Sequence, residues 1–123
     1  MTSVLIIDDD DDIRTIASVC LERIGGMKVW TAPSAQLGME SARANRPDVI
    51  LLDVMMPEMD GVTALGLMRN DPDLKDMKVI FITARVQRTD LMDYFAQGAI
   101  GVVHKPFDPL NLPGEILEIL KTC

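Results

Sequence analysis

Short runs of consecutive apolar residues alternate along the chain with segments in which apolar residues recur every three or four positions. The runs are typical of buried strands, and the periodic segments are typical of amphipathic helices. The predicted strands are 4–7, 27–31, 49–52, 79–82 and 100–103. The predicted helices are 13–24, 35–44, 62–70, 85–97 and 110–121. The second strand is only partly apolar, which favours a position at the edge of a sheet.

Strict alternation of strand and helix predicts right-handed crossovers and a parallel sheet with helices on both faces. The predicted fold class is therefore α/β, a three-layer, doubly wound sheet of five parallel strands. By analogy with flavodoxin-like folds we expect the strand order 2-1-3-4-5. At 123 residues the chain is expected to form one domain.

Composition narrows the possible partners. Hydrophobic residues make up 48% of the chain, and the net charge is −7. An acidic domain repels a phosphate backbone, so we expect no direct binding to nucleic acid.

No apolar run is long enough to span a membrane, and the N-terminus lacks the basic region of a signal peptide. Cys20 and Cys123 form no disulfide framework or metal motif. A reducing cytoplasm is the expected location.

Polar side chains follow four of the predicted strands. Asp8 and Asp9 follow the first strand, Asp53 the third, Thr83 the fourth and Lys105 the fifth. Because the carboxyl ends of parallel strands lie along one edge of the sheet, we expect these side chains to meet at its switch point.

Three carboxylates in one place call for a proton or a cation. Two unit charges about 4 Å apart repel by roughly 4 kcal/mol at an effective dielectric constant near 20. An all-oxygen site suits Mg²⁺, or alternatively Mn²⁺, with Asp8 and Asp9 as ligands. Asp53 lies alone at its strand end and is the candidate nucleophile, forming an aspartyl phosphate. Lys105 and Thr83 would stabilise the phosphoryl oxygens.

Four motifs together resemble the receiver domain of response regulators, of the chemotaxis-regulator type, along essentially the whole chain. They are IIDDD at 6–10, LLDVMMPEMDG at 51–61, FITA at 81–84 and HKPF at 104–107. The resemblance implies a receiver domain over 1–123 that serves in two-component phosphorelay signalling. It also implies a cis peptide bond between Lys105 and Pro106.

The resemblance implies a role for each site residue. Asp53 would accept a phosphoryl group from a histidine kinase or a histidine phosphotransfer protein. Asp8, Asp9, Asp53 and the backbone carbonyl of Met55 would bind the metal. Thr83 would bind the phosphoryl group and Lys105 would pair with it. The expected output is a changed surface for an unknown downstream protein, with the chain a monomer or a phosphorylation-dependent dimer.

The sequence departs from the family at one switch position. Val102 stands where many receivers have Tyr or Phe, which predicts a variant switch. Met55 and Arg85 follow Asp53 and Thr83 by two residues, and neither can activate water. We therefore expect slow self-dephosphorylation and no other catalytic activity.

Three alternatives stay open at this point. A degenerate receiver would act as a phosphorylation-independent adaptor. A phosphatase with an aspartate nucleophile would need an acid where Met55 stands. An FMN-binding protein would need a phosphate-binding loop where 8–12 is all aspartate.

Several residues have structural interpretations. Asp10, Asp11 and Asp12 are expected to stabilise the start of the first helix. Cys20 is predicted to pack in the core on a stripe with Ile13, Ile16, Ala17 and Ile24. Leu91, Tyr94 and Phe95 are expected to be mostly core, with Tyr94 the candidate for a partner-binding face. Asp108 is predicted to cap the last helix.

Overall fold

The computed structural model describes residues 1–122 and shows a parallel sheet between two layers of helices. The strands are β1 (Ser3–Ile7), β2 (Lys28–Ala32), β3 (Val49–Asp53), β4 (Val79–Thr83) and β5 (Gly101–His104). The helices are α1 (Asp11–Arg23), α2 (Ala35–Asn45), α3 (Gly61–Arg69), α4 (Arg88–Ala96) and α5 (Leu112–Lys121). The strands are ordered β2-β1-β3-β4-β5 and all pairs are parallel, so the predicted fold class and order are confirmed.

The side chains of each strand alternate between two cores, one on each face of the sheet. Leu5 and Ile7 of β1 belong to the core that also holds buried residues of α2, α3 and α4. Val4 and Ile6 face the other core, with buried residues of α1 and α5. Every residue of β3 and β4 is buried, which explains their unbroken apolar runs. β2 is partly exposed, as expected for an edge strand.

The first helix begins at Asp11, two residues earlier than predicted, and buries a narrower face. The carboxylate of Asp10 caps α1 by accepting from the backbone N–H groups of Asp12 and Ile13. The buried residues are Ala17, Cys20 and Leu21. Ile16 and Ile24 of the predicted stripe are 43% and 54% exposed, because the sheet contacts the face centred on Ala17 and Leu21. The predicted packing of Cys20 is confirmed; Cys123 lies outside the described residues.

Two helices begin later than predicted, and each delay has a local cause. Ala84 lies in a bend and Gln87, the N-cap residue, is extended, so the helix begins at Arg88 instead of residue 85. Before α5, the carbonyl of Asp108 accepts from Asn111 and Leu112 and closes a turn. Asp108 does not cap α5 as predicted: its Oδ1 accepts from the Leu110 N–H in the preceding turn, whereas Asn111 occupies the N-cap position without a side-chain cap bond. Pro113 lies in the first turn, where an N–H is not needed.

The helices of residues 1–122 are short or polar. None of them is long and apolar enough to cross a membrane.

Candidate functional site

Strand register brings the polar strand ends together. Asp8 directly follows β1, Asp53 and Thr83 are the last residues of β3 and β4, and Lys105 directly follows β5. Ile7 pairs with Leu52, and Asp53 pairs with Ile82, so the ends of β1, β3 and β4 are level. Backbone bonds continue past β5, where the Lys105 N–H donates to the Thr83 carbonyl at 2.9 Å.

Asp8, Asp9 and Asp53 form an acidic cluster at this edge. One carboxylate oxygen of each lies within 4.8 Å of the others. Asp8 is completely buried and Asp53 is 3% exposed, whereas Asp9 faces solvent. Two buried carboxylates this close cannot both be charged without a cation nearby.

Lys105 provides that cation. Its Nζ lies 2.8 Å from Oδ2 of Asp8 and 3.3 Å from Oδ1 of Asp53. Burial and the charge of Asp8 raise the pKa of Asp53 to about 7, although Lys105 opposes the shift. Burial alone would lower the pKa of Lys105, but its contacts with Asp8 and Asp53 outweigh burial and raise it. The charge of Asp53 can therefore be neutralised in two ways, by a proton or by a further cation.

The backbone around Asp8 is held by its neighbours. Oδ1 of Asp8 accepts from the Asp10 N–H at 2.9 Å, and Nη1 of Arg14 donates to the Asp8 carbonyl at 2.6 Å. Sequence reasoning missed Arg14. No sequence pattern signals this contact, because it depends on how α1 leaves β1.

The loop after Asp53 turns sharply against the strand it leaves. Oδ1 of Asp53 accepts from the Met55 N–H at 3.2 Å, and the Gly61 N–H donates to the Val54 carbonyl at 2.9 Å. A Cβ at Gly61 would lie 2.3 Å from the Asp53 carbonyl oxygen, so only glycine allows this approach. Glu58 has a positive φ of 68° within the same loop. The side chain of Met55 is 59% exposed beside the site.

Thr83 is buried at the end of β4, with 1% of its surface exposed. Its Oγ1 accepts from the Arg85 N–H at 3.0 Å. A hydroxyl has one donor hydrogen and two acceptor positions, so its own hydrogen is free for another acceptor. The Lys105–Pro106 peptide bond is cis, as the resemblance implied.

The fourth helix presents different side chains from those predicted. Tyr94 is 4% exposed, so the prediction that it lies on a partner-binding face was wrong. Its ring packs against Phe81 with centroids 5.0 Å apart, and its hydroxyl donates to the Arg85 carbonyl at 3.0 Å. Phe95 is 51% exposed instead, and Met92 is 62% exposed.

A family model decides the identity of the chain: the response regulator receiver domain matches residues 4–117. The chain belongs to this family. The resemblance inferred from four motifs is therefore confirmed, and the chain is a receiver domain of the response regulators of two-component systems.

Solved receivers share its architecture. The chemotaxis response regulator CheY4 of Vibrio cholerae is 30% identical with a TM-score of 0.88, and the match covers 97% of this receiver and 98% of that chain. A CheY-like receiver domain protein from Methanospirillum hungatei is 26% identical with a TM-score of 0.85, covering 99% and 95%.

Curated relatives are longer. The transcriptional regulatory protein CseB of Streptomyces avermitilis is 41% identical over 98% of this receiver and 49% of the relative. The transcriptional regulatory protein YvrH of Bacillus subtilis is 38% identical over 97% of this receiver and 49% of the relative. The receiver thus spans about half the length of these relatives. Because they are named as transcriptional regulators, the expectation of no contact with nucleic acid is not supported.

The acidic cluster of this receiver could hold a metal ion. Oδ2 of buried Asp8 contacts Lys105 but forms no directed hydrogen bond within residues 1–122. A hard cation binds such carboxylate oxygens and keeps several waters, for which exposed Asp9 leaves access. The residues present therefore fit the ion that the family implies.

Proposed function

We propose that this receiver accepts a phosphoryl group on Asp53 from a phosphohistidine and thereby switches the surface it offers to another protein. The observation that carries the proposal is the contact of one lysine with two buried carboxylates. Nζ of Lys105 lies within 3.3 Å of a carboxylate oxygen of Asp8 and of Asp53. Asp53 is the last residue of β3, the central strand of the sheet. From this position Lys105 can move from pairing with the two carboxylates to pairing with a phosphoryl group on Asp53.

The proposed reaction is a phosphoryl transfer between side chains. An Oδ atom of Asp53 attacks phosphorus, an O–P bond forms, and the P–N bond of the phosphohistidine breaks. The electron pair of that bond stays on the imidazole nitrogen, which can then take a proton from solvent. Asp53 must be ionised to attack, so positive charge that lowers its raised pKa favours the reaction.

The ion proposed for the site is Mg²⁺, or Mn²⁺ in its place. Asp8, Asp9, Asp53 and the Met55 carbonyl would hold it. When bound, it would neutralise charge on the transferred phosphoryl group.

Two side chains of this receiver are suited to the product. A phosphoryl group brings a charge of roughly −1.5 to −2, which Lys105 can pair with from its present position beside Asp53. The free hydroxyl hydrogen of Thr83 can be donated to a phosphoryl oxygen. Both groups lie at the ends of strands that neighbour each other in the sheet.

Hydrolysis of the product is proposed to be slow, and no other enzymatic activity is proposed. Met55 and Arg85 flank the site with an exposed thioether and an exposed guanidinium, neither of which can take a proton from water at neutral pH. The phosphatase alternative needs an acid where Met55 stands. The FMN alternative would place a phosphate against Asp8 and Asp9.

The names of the relatives support a setting in transcriptional regulation. Residues 1–123 are proposed to form one receiver domain whose donor is a histidine kinase or histidine phosphotransfer protein. Since its relatives are named as transcriptional regulators, a protein that contains this receiver is proposed to act on transcription in the cytoplasm. The receiver itself is proposed to be a monomer that can dimerise on phosphorylation.

A titration with fluoroberyllate, a phosphoryl mimic, tests the proposal. We expect Mg²⁺-dependent binding to the natural chain and its loss in Asp53→Asn. Asp93→Asn, which changes an exposed carboxylate of α4, is the matched control and should bind normally. Equal binding by natural chain and Asp53→Asn would contradict the proposal and favour the adaptor alternative.

A further inference from the structure

The backbone of Arg85 is hydrogen-bonded on both sides. Its N–H donates to Oγ1 of Thr83 at 3.0 Å, and its carbonyl accepts from the Tyr94 hydroxyl at 3.0 Å. Both partners are buried, with 1% and 4% of their surfaces exposed. A single residue therefore connects the end of β4 to the middle of α4.

Tyr94 is fixed on its other side by packing. Its ring contacts Phe81 at a centroid distance of 5.0 Å and an angle of 58°. Phe81 lies in β4, two residues before Thr83, and pairs in register with Val102 of β5. If Arg85 moved, the buried Tyr94 hydroxyl would lose its acceptor, which is costly for a group away from water.

The segment between Thr83 and α4 is otherwise lightly held. The side chains of Ala84, Arg85 and Gln87 are exposed. The Gln87 N–H donates to Asp90 at 3.2 Å, and the Arg85 guanidinium lies 3.9 Å from the same carboxylate. A cleft of about 310 Å³ borders both Arg85 and Tyr94. The segment thus has room to move once a bond to Arg85 is lost.

We propose that Tyr94 is a positioning residue that couples Asp53 to α4 through the backbone of Arg85, an inference that rests on the proposed function. In the structure described here, the Tyr94 hydroxyl holds Arg85 in place, and Arg85 holds the Thr83 hydroxyl. When Thr83 turns to donate to a phosphoryl group, the Arg85 N–H loses its acceptor. The Arg85 carbonyl then shifts relative to Tyr94, and α4 changes its environment.

This arrangement gives the receiver a link that does not need an aromatic ring on β5. The side chain of Val102 has no polar atom and cannot form a hydrogen bond with the segment after Thr83. Tyr94 reaches the same segment from α4. The exposed Met92 and Phe95 lie on either side of Tyr94 in the sequence, so a change at its hydroxyl would alter how these apolar side chains are presented.

Removing the hydrogen bond from the Tyr94 hydroxyl to the Arg85 carbonyl should favour the conformation in which Thr83 donates to a phosphoryl group. A net hydrogen bond contributes enough to change a two-state equilibrium by about two- to tenfold. Tyr94→Phe keeps the ring on Phe81 and removes only the hydroxyl. We therefore expect this variant to bind fluoroberyllate about two- to tenfold more tightly than the natural chain.

The test is a fluoroberyllate titration with Mg²⁺, followed by the amide NMR signals of α4. The variants are Tyr94→Phe, Thr83→Ala and the double variant, with Thr89→Val as the control for an exposed hydroxyl on the same helix. We expect Tyr94→Phe to bind more tightly while its α4 signals respond less. In the Thr83→Ala background, Tyr94→Phe should have no effect on affinity. Thermal unfolding establishes that each variant is folded.

Each contrary outcome is distinct. Equal affinity and equal α4 responses in natural chain and Tyr94→Phe would overturn the coupling and leave the proposed function intact. The same tightening with and without Thr83 would also overturn it, because it would show a role independent of Thr83. Failure of the natural chain to bind fluoroberyllate would overturn the proposed function and this inference together.

Discussion

Nζ of Lys105 lies 2.8 Å from Oδ2 of Asp8, whose side chain is completely buried. The two residues follow strands β5 and β1, which are separated in the sheet by β3 and β4. The lysine therefore reaches across the edge of the sheet to the centre of the acidic cluster. Without metal, it is the ammonium group on which the two buried carboxylates depend.

Replacing this lysine should destabilise the metal-free receiver. Lys105→Met leaves the buried Asp8 carboxylate without its cation, and we expect about 1–3 kcal/mol less free energy of unfolding at neutral pH. Saturating Mg²⁺ should restore part of the loss. Urea unfolding measures both, with Lys78→Met, an exposed lysine before β4, as control. An equal effect of the two substitutions would argue against the ion pair.

Stability of the metal-free receiver should fall as pH rises. The pKa of Asp53 is about 7 in the folded chain against 3.8 as its ordinary value, so the folded state binds a proton that the unfolded state has released. Stability from this group is present below the unfolded pKa and is lost as pH rises through the folded pKa. Asp53→Asn removes the titration, so its advantage over the natural chain should grow from about pH 5 to about pH 8. A constant difference in urea unfolding would contradict this.

Two glycines of α3 should respond oppositely to the same substitution. A Cβ at Gly61 would lie 2.3 Å from the Asp53 carbonyl oxygen, so Gly61→Ala must displace the backbone of the nucleophile. We expect lower stability and weaker fluoroberyllate binding. At Gly66 a Cβ meets nothing within 4 Å, so Gly66→Ala should stabilise the helix by about 0.5–1 kcal/mol. Normal fluoroberyllate binding by Gly61→Ala would show that the loop tolerates the displacement.

Arg69 should contribute to stability at a distance from the site. Its guanidinium donates to the carbonyls of Lys75, Met77 and Gly98 at 2.8–3.0 Å, which joins the end of α3 to the turn after α4. We expect Arg69→Met to lower the free energy of unfolding by about 2–3 kcal/mol, because it leaves these acceptors without a charged donor. Arg88→Met, at an exposed position of α4, is the control in thermal unfolding. A similar loss of stability in both variants would show that the three hydrogen bonds of Arg69 do not stabilise the fold.

Much of the fold could be predicted because its signals are local. The run 49–52 is apolar at every position, which is typical of a strand covered on both faces, and β3 is buried throughout. The ends of such strands meet at one edge, so the proximity of Asp8 and Asp53 followed from the strand order. The strand order itself was expected by analogy with flavodoxin-like folds. The helix that connects two strands does not determine which strands lie next to each other in the sheet.

The helix faces could not be predicted equally well. Leu91, Met92, Tyr94 and Phe95 are all apolar, so the pattern on α4 does not select a buried side. Tyr94 is buried because its ring packs against Phe81 and its hydroxyl donates to the Arg85 carbonyl. Both partners lie outside α4. The contact of Arg14 with the Asp8 carbonyl likewise depends on how α1 leaves β1.

The most direct test of the account is intact-mass measurement after incubation with acetyl phosphate and Mg²⁺. We predict that the natural chain gains the mass of one phosphoryl group, and that fragmentation assigns it to Asp53. Asp53→Asn, and the natural chain with a chelator, should gain none. Phosphorylation at another residue, or no phosphorylation of the folded natural chain with Mg²⁺ present, would contradict the account.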